Sequence, residues 1–238
     1  MKLDILAFGA HPDDVELGCS GTIAKEISLG KKVGIIDLTR GELGTRGSVE
    51  IRNAESAEAS RILGISVREN LDMRDGFFIN DEAHQLKVVK ILRKYRPDIV
   101  ICNATDDRHI DHSKGSKLVS DACFLSGLQQ LKTEVNGVSQ DFHRPKLVYH
   151  YIQWKNIIPD VVVDISGFND IRLASILAYK SQFYDPNSTE VETPIATKNF
   201  KDSLNNRAQD FGRLIGVDFA EGFTVERVVA VDNLSNLI

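Results

Sequence analysis

Short apolar segments alternate with helix-like segments through the first two-thirds of the chain, and this alternation restricts the folds that it can adopt. The apolar segments cover residues 3–9, 33–38, 66–71 and 98–102. Between them, apolar residues recur at helical spacing, and a glycine or a proline ends most of these helical segments. Strands and helices that alternate with short connections predict a parallel sheet with helices on both faces. We therefore expect an α/β fold with a Rossmann-like, mostly parallel sheet.

Two helix boundaries can be read from residues that cap helices. Ser48 and Asp81 can each accept a hydrogen bond from the first turn of a helix, which predicts helices over residues 49–63 and 82–95. Gly64 is suited to end the first of these because glycine adopts the left-handed conformation that closes a helix.

The later part of the chain continues these patterns less regularly. Strands are predicted over residues 146–153 and 160–165, helices over 168–182 and 197–215, and an irregular loop over 184–194. The sequence of residues 219–231 predicts short strands, which could form a small additional C-terminal sheet. Because no linker, repeat or low-complexity segment interrupts the sequence, residues 1–238 are predicted to form a single domain.

Composition argues against several classes of protein. The net charge is −5 and the basic residues are scattered, so neither nucleic acid nor an anionic membrane surface is expected as a partner. No apolar stretch approaches the roughly 18 residues of a membrane span, and the N-terminus lacks a signal-peptide pattern. The three cysteines have no C-x-x-C spacing, which favours a reducing compartment. We therefore expect a cytoplasmic protein.

Three ionisable side chains follow the first predicted strand: His11, Asp13 and Asp14. Open α/β sheets bind their ligands at the C-terminal ends of parallel strands, which is where this turn lies. Since a helix can begin at Ser20, the connecting loop is short and the three groups lie close together. Ionisable groups at the end of a buried strand are costly unless they have a function. The turn therefore predicts half of a metal site.

A second group of ionisable side chains follows the strand predicted at 98–102. His109 and His112 lie three residues apart with Asp111 between them, ahead of a helix predicted over 113–125. Both loops follow parallel strands, so they meet at the same edge of the sheet. Two histidines and a carboxylate from two strand ends form a three-ligand zinc site with one position left for water. The remaining carboxylate and histidine are then available for proton transfer and for stabilising charge.

The two loops resemble motifs of the LmbE/PIG-L-like zinc-dependent N-deacetylases. A-H-P-D-D at positions 10–14 matches the family signature, and H-I-D-H at 109–112 matches its second motif, H-P-D-H. Within the family the sequence is most similar to the bacillithiol-pathway enzymes, which deacetylate N-acetylglucosaminyl malate. The resemblance implies a hydrolase that releases acetate from an amino-sugar substrate. It also implies a homo-oligomer, with hexamers as one form of assembly.

The resemblance further implies roles for individual residues. The implied metal ligands are His11, Asp14 and His112. Asp13 is implied as the general base, His109 as a charge-stabilising imidazole, and Asp111 as the hydrogen-bond partner that orients His109. Zinc is the implied metal, although iron(II) and other divalent ions can share these ligands. Ile110 replaces the proline of the family motif, which leaves ligation possible but puts the rigidity of this loop in question.

Three further residues are candidates for substrate contacts: Arg52, Asp75 and Arg144. The resemblance assigns both arginines to the active site, where a guanidinium could bind sugar hydroxyls or malate carboxylates. The carboxylate of Asp75 could accept hydrogen bonds from sugar hydroxyls. For each of the three, an ordinary surface ion pair is the structural alternative.

Other functions stay open at the level of the sequence. One is a deacetylase of another N-acetylglucosamine derivative or of a chitooligosaccharide. Another is a non-catalytic nucleotide- or metal-binding α/β module, including a family member that binds zinc without turnover. The first strand-helix turn carries H-P-D-D instead of a glycine-rich phosphate cradle, which argues against nucleotide binding.

Overall fold

The structure, a computed structural model, describes residues 1–236, so the last two residues of the predicted 1–238 domain lie outside the described residues. The strands are β1 (Ile5–Gly9), β2 (Val33–Thr39), β3 (Val67–Met73), β4 (Ile99–Cys102), β5 (Thr133–Val135), β6 (Val138–Gln140), β7 (Leu147–Tyr151), β8 (Val161–Asp164) and β9 (Ala220–Val225). The helices are α1 (Asp14–Ser28), α2 (Val49–Leu63), α3 (Glu82–Tyr95), α4 (Ile110–Ser126), α5 (Asn169–Leu177) and α6 (Lys198–Ile215). Short 3₁₀ helices cover Ser166–Phe168 and Leu234–Asn236.

A central sheet of the described residues contains seven strands in the order β3-β2-β1-β4-β7-β9-β8. The first five of these are parallel, and β9 runs antiparallel to both of its neighbours. The predicted α/β fold with a mostly parallel sheet is confirmed. A small additional sheet also exists, but it is the hairpin β5–β6 in the middle of the chain. The C-terminal strand β9 instead joins the main sheet, because its pairing covers the otherwise open edge of β7.

Strand β1 lies in the middle of the sheet and is buried along its whole length. Its alternate side chains point to opposite faces, so Leu6 and Phe8 join one hydrophobic cluster while Ile5 and Ala7 join another. Burial on both faces explains why this segment is apolar throughout. The strand therefore holds the turn that follows it, with His11 and Asp13, on a rigid base.

Three helix starts agree with the sequence. The side chains of Ser48, Asp81 and Thr197 accept hydrogen bonds from the first turns of α2, α3 and α6. Gly64 closes α2 in the left-handed conformation, as predicted. Helix α5 ends at Leu177, earlier than the predicted residue 182. None of the helices in residues 1–236 combines the length and the apolar character that crossing a membrane requires.

Two predicted helix starts are wrong, and both lie at the site. Helix α1 begins at Asp14 instead of Ser20, and an interruption at Cys19, with φ of −155°, bends it. The N–H groups of Gly21 and Thr22 beyond this bend donate to the distant carboxylate of Glu221 at 3.0 and 2.7 Å. Local spacing cannot reveal a partner about 200 positions away.

Helix α4 begins at Ile110, ahead of the predicted residue 113, because the imidazole of His109 caps it. Histidine is not among the residues that usually cap helix N-termini. The early start brings His112 into the first turn of α4.

Candidate active site

A cavity of about 550 Å³ opens at the C-terminal ends of the central parallel strands. Its walls also include residues of α5, α6 and the loop before α6. The predicted site residues that line it are His11, Asp13, Asp14, Arg52, Asp75, His109 and His112. The structure thus brings the two sequence motifs together around one cavity. Arg144 lies elsewhere, and Asp111 lies behind the cavity wall.

His11 is held between carboxylates. Its Nε2 lies 3.0 Å from Asp75 Oδ1 and 3.4 Å from Asp111 Oδ2, while its Nδ1 lies 3.5 Å from Asp14 Oδ2. Burial acts to lower the pKa of His11, but hydrogen bonds to these three carboxylates raise it well above the ordinary value. The Asp75 carboxylate, which lines the cavity, contacts His11 and accepts the N–H of Leu43 at 3.1 Å.

His112 has a matching arrangement on the other side of Asp14. Its Nδ1 lies 2.6 Å from Asp107 Oδ2, and its Nε2 lies 3.1 Å from Asp14 Oδ1. Burial opposes protonation, yet Asp14 and Asp107 raise the pKa of His112 to about 9. A carboxylate on the outer ring nitrogen is the usual way in which proteins orient a metal-binding histidine. Sequence reasoning missed Asp107, although it lies in the same polar loop as His109.

Asp14 lies between the two histidines and is itself held by amide groups. It accepts hydrogen bonds from Asn103 Nδ2 at 3.1 Å and from Gln153 Nε2 at 2.7 Å. The side-chain oxygen of Asn103 accepts a hydrogen bond from the N–H of Ala10 at 2.9 Å, so Asn103 connects the two loops. Burial acts to raise the pKa of Asp14, but the two histidines hold it well below its ordinary value.

The donor set fits a divalent metal ion. Within residues 1–236, two groups place their ligand atoms within 4.8 Å of one another: His11 with His109 and His112, and His11 with Asp75 and Asp111. Bonds of about 2.0–2.1 Å in a tetrahedral site put neighbouring ligand atoms about 3.3 Å apart. The Asp14 oxygens lie 3.1 and 3.5 Å from the facing ring nitrogens, close to that spacing. Buried histidine and aspartate side chains here could therefore bind a metal.

Asp13 adopts an unusual backbone conformation that places its side chain in the cavity wall. Its φ is 118°, a value that non-glycine residues rarely adopt and that costs about 1–3 kcal/mol. The residue is only 5% exposed. Burial raises the pKa of its carboxyl to about 7, although the positive charge of Arg52 acts to lower it. A carboxyl group with this pKa can both accept and release a proton near neutral pH.

His109 presents an N–H to the cavity. Its Nδ1 accepts the backbone N–H of Asp111 at 3.2 Å, so the neutral ring carries its proton on Nε2. Burial and the neighbouring rings of His11 and His112 lower the pKa of His109 and favour this neutral form. Asp111 is thus a hydrogen-bond partner of His109 through its backbone N–H, while its carboxylate makes other contacts. It accepts hydrogen bonds from Gly76 N–H at 2.7 Å and forms an ion pair with Lys114 at 2.6 Å.

The loop with glycines at 41, 44 and 47 makes room for Arg52. A Cβ on Gly41, whose φ is +63°, would collide with Nη1 of this arginine. Arg52 is buried and donates from Nη2 to the Gln182 side chain. It therefore faces the cavity in a fixed position, where the sequence predicted a substrate contact.

Arg144 occupies the opposite end of α4 from His112. Its guanidinium donates to the carbonyl oxygen of Phe124 at 2.8 Å and lies 4.3 Å from the centroid of that ring. The 17 residues of α4 span about 25 Å. Arg144, for which the sequence predicts a substrate contact, therefore lies at the C-terminal end of α4 and outside the cavity of this chain.

Replacing Ile110 with proline is expected to leave folding and activity within about threefold of the wild type. Ile110 is the first residue of α4, where proline is favoured because the N–H there needs no helical partner. His109 has φ of −80° and ψ of 130°, a conformation that residues preceding proline adopt readily. Thermal unfolding and acetate release check this. A large loss in either would show that the loop depends on isoleucine.

Replacing Asp107 with asparagine is expected to weaken metal binding about 10- to 100-fold. The substitution keeps the size of the side chain but removes the charge that orients His112 and raises its basicity. Metal affinity is measured by competition with a chelator. Asp106→Asn is the matched control because Asp106 is exposed and pairs with Lys155. An unchanged affinity in Asp107→Asn would contradict the orienting role.

Comparison with known proteins identifies the family. Residues 6–123, which include both loops, match the family model described as PIG-L: GlcNAc-PI de-N-acetylase. The crystal structure of the conserved protein TT1542 from Thermus thermophilus is 36% identical, with a TM-score of 0.85 over 97% of this chain and 98% of that one. The chain belongs to the PIG-L family.

Two further PIG-L relatives are named for the same activity. Diacetylchitobiose deacetylase of Thermococcus kodakarensis is 28% identical over 228 residues, covering 92% of this chain and 81% of that protein. The structure of N,N'-diacetylchitobiose deacetylase from Pyrococcus horikoshii is 26% identical with a TM-score of 0.79, covering 98% of this chain and 88% of that one. The prediction that this PIG-L protein is a hydrolytic N-deacetylase is confirmed.

Proposed function

We propose that the protein is a metal-dependent deacetylase of an N-acetylglucosamine conjugate, with N-acetylglucosaminyl malate as its preferred substrate. One observation carries the chemical part of this proposal. Asp14 lies between two histidines that are each held by a further carboxylate, and Asp13 lines the same cavity. The reaction adds water across the acetamide bond and yields acetate and the free amine.

In this proposal His11, Asp14 and His112 hold the ion, with zinc as the assigned metal. Nδ1 of His11 and Nε2 of His112 face Asp14, while their other ring nitrogens are engaged by Asp75 and Asp107. When bound, zinc supplies Lewis-acid chemistry, which lowers the pKa of water and polarises a carbonyl group. The donor set alone does not select zinc over iron(II).

Two other residues carry out proton transfer and charge stabilisation. The Asp13 carboxylate accepts the proton of the attacking water and later returns it to the departing amine nitrogen. The N–H on Nε2 of His109 donates to the acetyl oxygen as negative charge develops there, the type of electrostatic stabilisation that is usually the largest catalytic contribution. Arg52, beside Asp13, is assigned to the sugar part of the substrate, where its guanidinium can donate to hydroxyls.

The lining of the cavity supports an anionic conjugate over a neutral oligosaccharide. A volume of about 550 Å³ lies within the range of small-molecule sites and suits one sugar with a small substituent. Malate adds two carboxylates, which planar guanidinium groups bind well. The arginines that line the cavity are Arg46, Arg52, Arg108, Arg172 and Arg207.

The alternative substrate is a neutral N-acetylated sugar such as diacetylchitobiose, for which two of the relatives are named. An acetate-release assay on N-acetylglucosaminyl malate and on diacetylchitobiose, each with and without a chelator, decides between them. We expect chelator-sensitive release that is at least about tenfold faster with the malate conjugate, the effect of one charge-assisted contact. Faster release from diacetylchitobiose would overturn the malate assignment. Absence of release from both, with no metal bound, would favour a non-catalytic module.

The proposal also covers the cellular compartment and the oligomeric state. Cys19, Cys102 and Cys123 are free and buried, which is consistent with a reducing cytoplasm. Homo-oligomeric assembly, with hexamers as one form, stays a prediction that sedimentation velocity can test.

A further inference from the structure

Two arginines from α5 and α6 lie together on one wall of the cavity. Arg172 is 2% exposed and is fixed by the side-chain oxygen of Asn169, at 3.1 Å, and the carbonyl oxygen of Leu204, at 3.2 Å. Leu204 precedes Arg207 by three residues, so both belong to the same face of α6. Arg207 in turn donates from Nη2 to the carbonyl oxygen of Trp154.

The positive charge of this pair is only partly balanced. Arg172 lies 3.4 Å from Glu221, but that carboxylate also accepts the N–H groups at the bend of α1. Arg207 forms no ion pair with any carboxylate of residues 1–236, and its Nη1 is buried without a hydrogen-bond partner. Burial lowers the pKa of Arg207; the nearby charge of Asp107 opposes this shift, and the charge of Arg172 adds to it. Arg207 as a whole is partly buried. A buried guanidinium nitrogen without a hydrogen-bond partner is costly unless a ligand such as an anion binds the group.

The wall around Arg207 is rigid. The ring of Trp154 stacks on Phe200 at a centroid distance of 5.6 Å, and the guanidinium of Arg108 lies 4.5 Å from the Trp154 centroid on the ring face. Gln153, next to Trp154, holds Asp14 by its side-chain amide at 2.7 Å. Gln153 and Trp154 are adjacent in sequence, and they contact Asp14 and Arg207 respectively. This segment therefore connects the wall around Arg207 to the proposed metal ligand Asp14.

We propose that Arg207, with Arg172 behind it, forms an anion subsite that binds a carboxylate of the group attached to the amino sugar. The inference rests on the proposed function, since the subsite serves the same substrate. It differs from the assignment of Arg52, which faces Asp13 and contacts the sugar. Arg207 thereby determines substrate specificity. It favours substrates with a negatively charged substituent over neutral sugars. A phosphate group could use the same donors and is included as a separate probe.

The first test compares two substrates in the metal-loaded enzyme. In Arg207→Gln, kcat/KM for N-acetylglucosaminyl malate is expected to fall about 10- to 100-fold, mainly through KM, because a charge-assisted contact is lost. For diacetylchitobiose it is expected to stay within about threefold. Arg207→Lys keeps the charge and should recover part of the loss. Arg213→Gln is the matched control because Arg213 lies on α6 but pairs at the surface with Asp210. Equal losses for both substrates would overturn the proposal.

The second test measures binding directly, so that it does not depend on turnover. Calorimetric titrations of metal-loaded wild type and Arg207→Gln use malate and inorganic phosphate as separate probes. The proposal expects malate to bind the wild type and to bind the variant at least about tenfold more weakly. Equal malate affinities, or a dependence on Arg207 seen with phosphate alone, would overturn it. If the wild type binds malate through Arg207 but deacetylates neither sugar, the proposed function fails and the subsite stands.

Discussion

Replacing Asp13 with asparagine is expected to lower kcat for acetate release by about 10²- to 10⁴-fold while metal content stays near that of the wild type. Asparagine has nearly the same shape, and it tolerates positive φ, so the turn after β1 should keep its conformation. It cannot accept a proton from water at neutral pH. The measurements are acetate release under saturating substrate and metal analysis of the same preparation.

A matched control separates the chemistry of Asp13 from its backbone conformation. Asp72 also has positive φ, 49°, but it is exposed and pairs with Arg40 outside the cavity. Asp72→Asn should therefore leave kcat within about twofold. If Asp13→Asn instead loses its metal and Asp14→Asn keeps it, the proposed roles of these neighbouring carboxylates are exchanged.

Asp13→Asn is also expected to change the thermal stability of the metal-free protein in a pH-dependent way. Burial raises the pKa of Asp13 to about 7, above the value of about 3.9 in unfolded chains. The folded state therefore binds the proton more tightly, and the carboxyl makes the protein less stable as pH rises from about 4 to 7. Asp13→Asn should melt at a higher temperature than the wild type at about pH 8, and this difference should shrink toward about pH 4.

The sequence predicted the central part of the fold because its cues are local. The apolar segment of β1 and the caps Ser48, Asp81 and Thr197 each act within a few residues of their own element. The position of β9 depended on which strand edge stayed open, a property of the assembled sheet. Local patterns therefore predicted its existence but placed it in a separate sheet.

The same distinction applies to the site. His11, Asp14, His109 and His112 follow two parallel strands, and sheet geometry brings such strand ends together. Asp107 was missed because its role depends on which ring nitrogen of His112 faces the cavity, which only the folded α4 determines. Arg144 was assigned by motif similarity, and its actual contact with Phe124 at the far end of α4 depends on tertiary packing.

Either Asp14 or His109 could complete the metal-ligand set with His11 and His112, and substitution of His109 decides between them. His109 belongs, with His11 and His112, to one of the groups whose ligand atoms lie within 4.8 Å. Its Nδ1, however, is engaged by the N–H of Asp111, and its ring stands at the N-terminus of α4 as a cap. Asp14 faces both of the other histidines and is held by two amide groups. We therefore assign Asp14 to the metal and His109 to the acetyl oxygen.

Replacing His109 with alanine is expected to lower kcat about 10²- to 10³-fold and to leave metal affinity unchanged, because the substitution removes a donor to the developing oxyanion. His109→Gln keeps an N–H donor of similar reach and should recover part of the activity. His84→Ala is the matched control, since His84 lies on α3 outside the cavity lining and its ring pairs with Asp81. Metal affinity by chelator competition and kcat are measured on all three variants. Loss of metal in His109→Ala would make His109 the third ligand, and full activity would exclude it from the reaction.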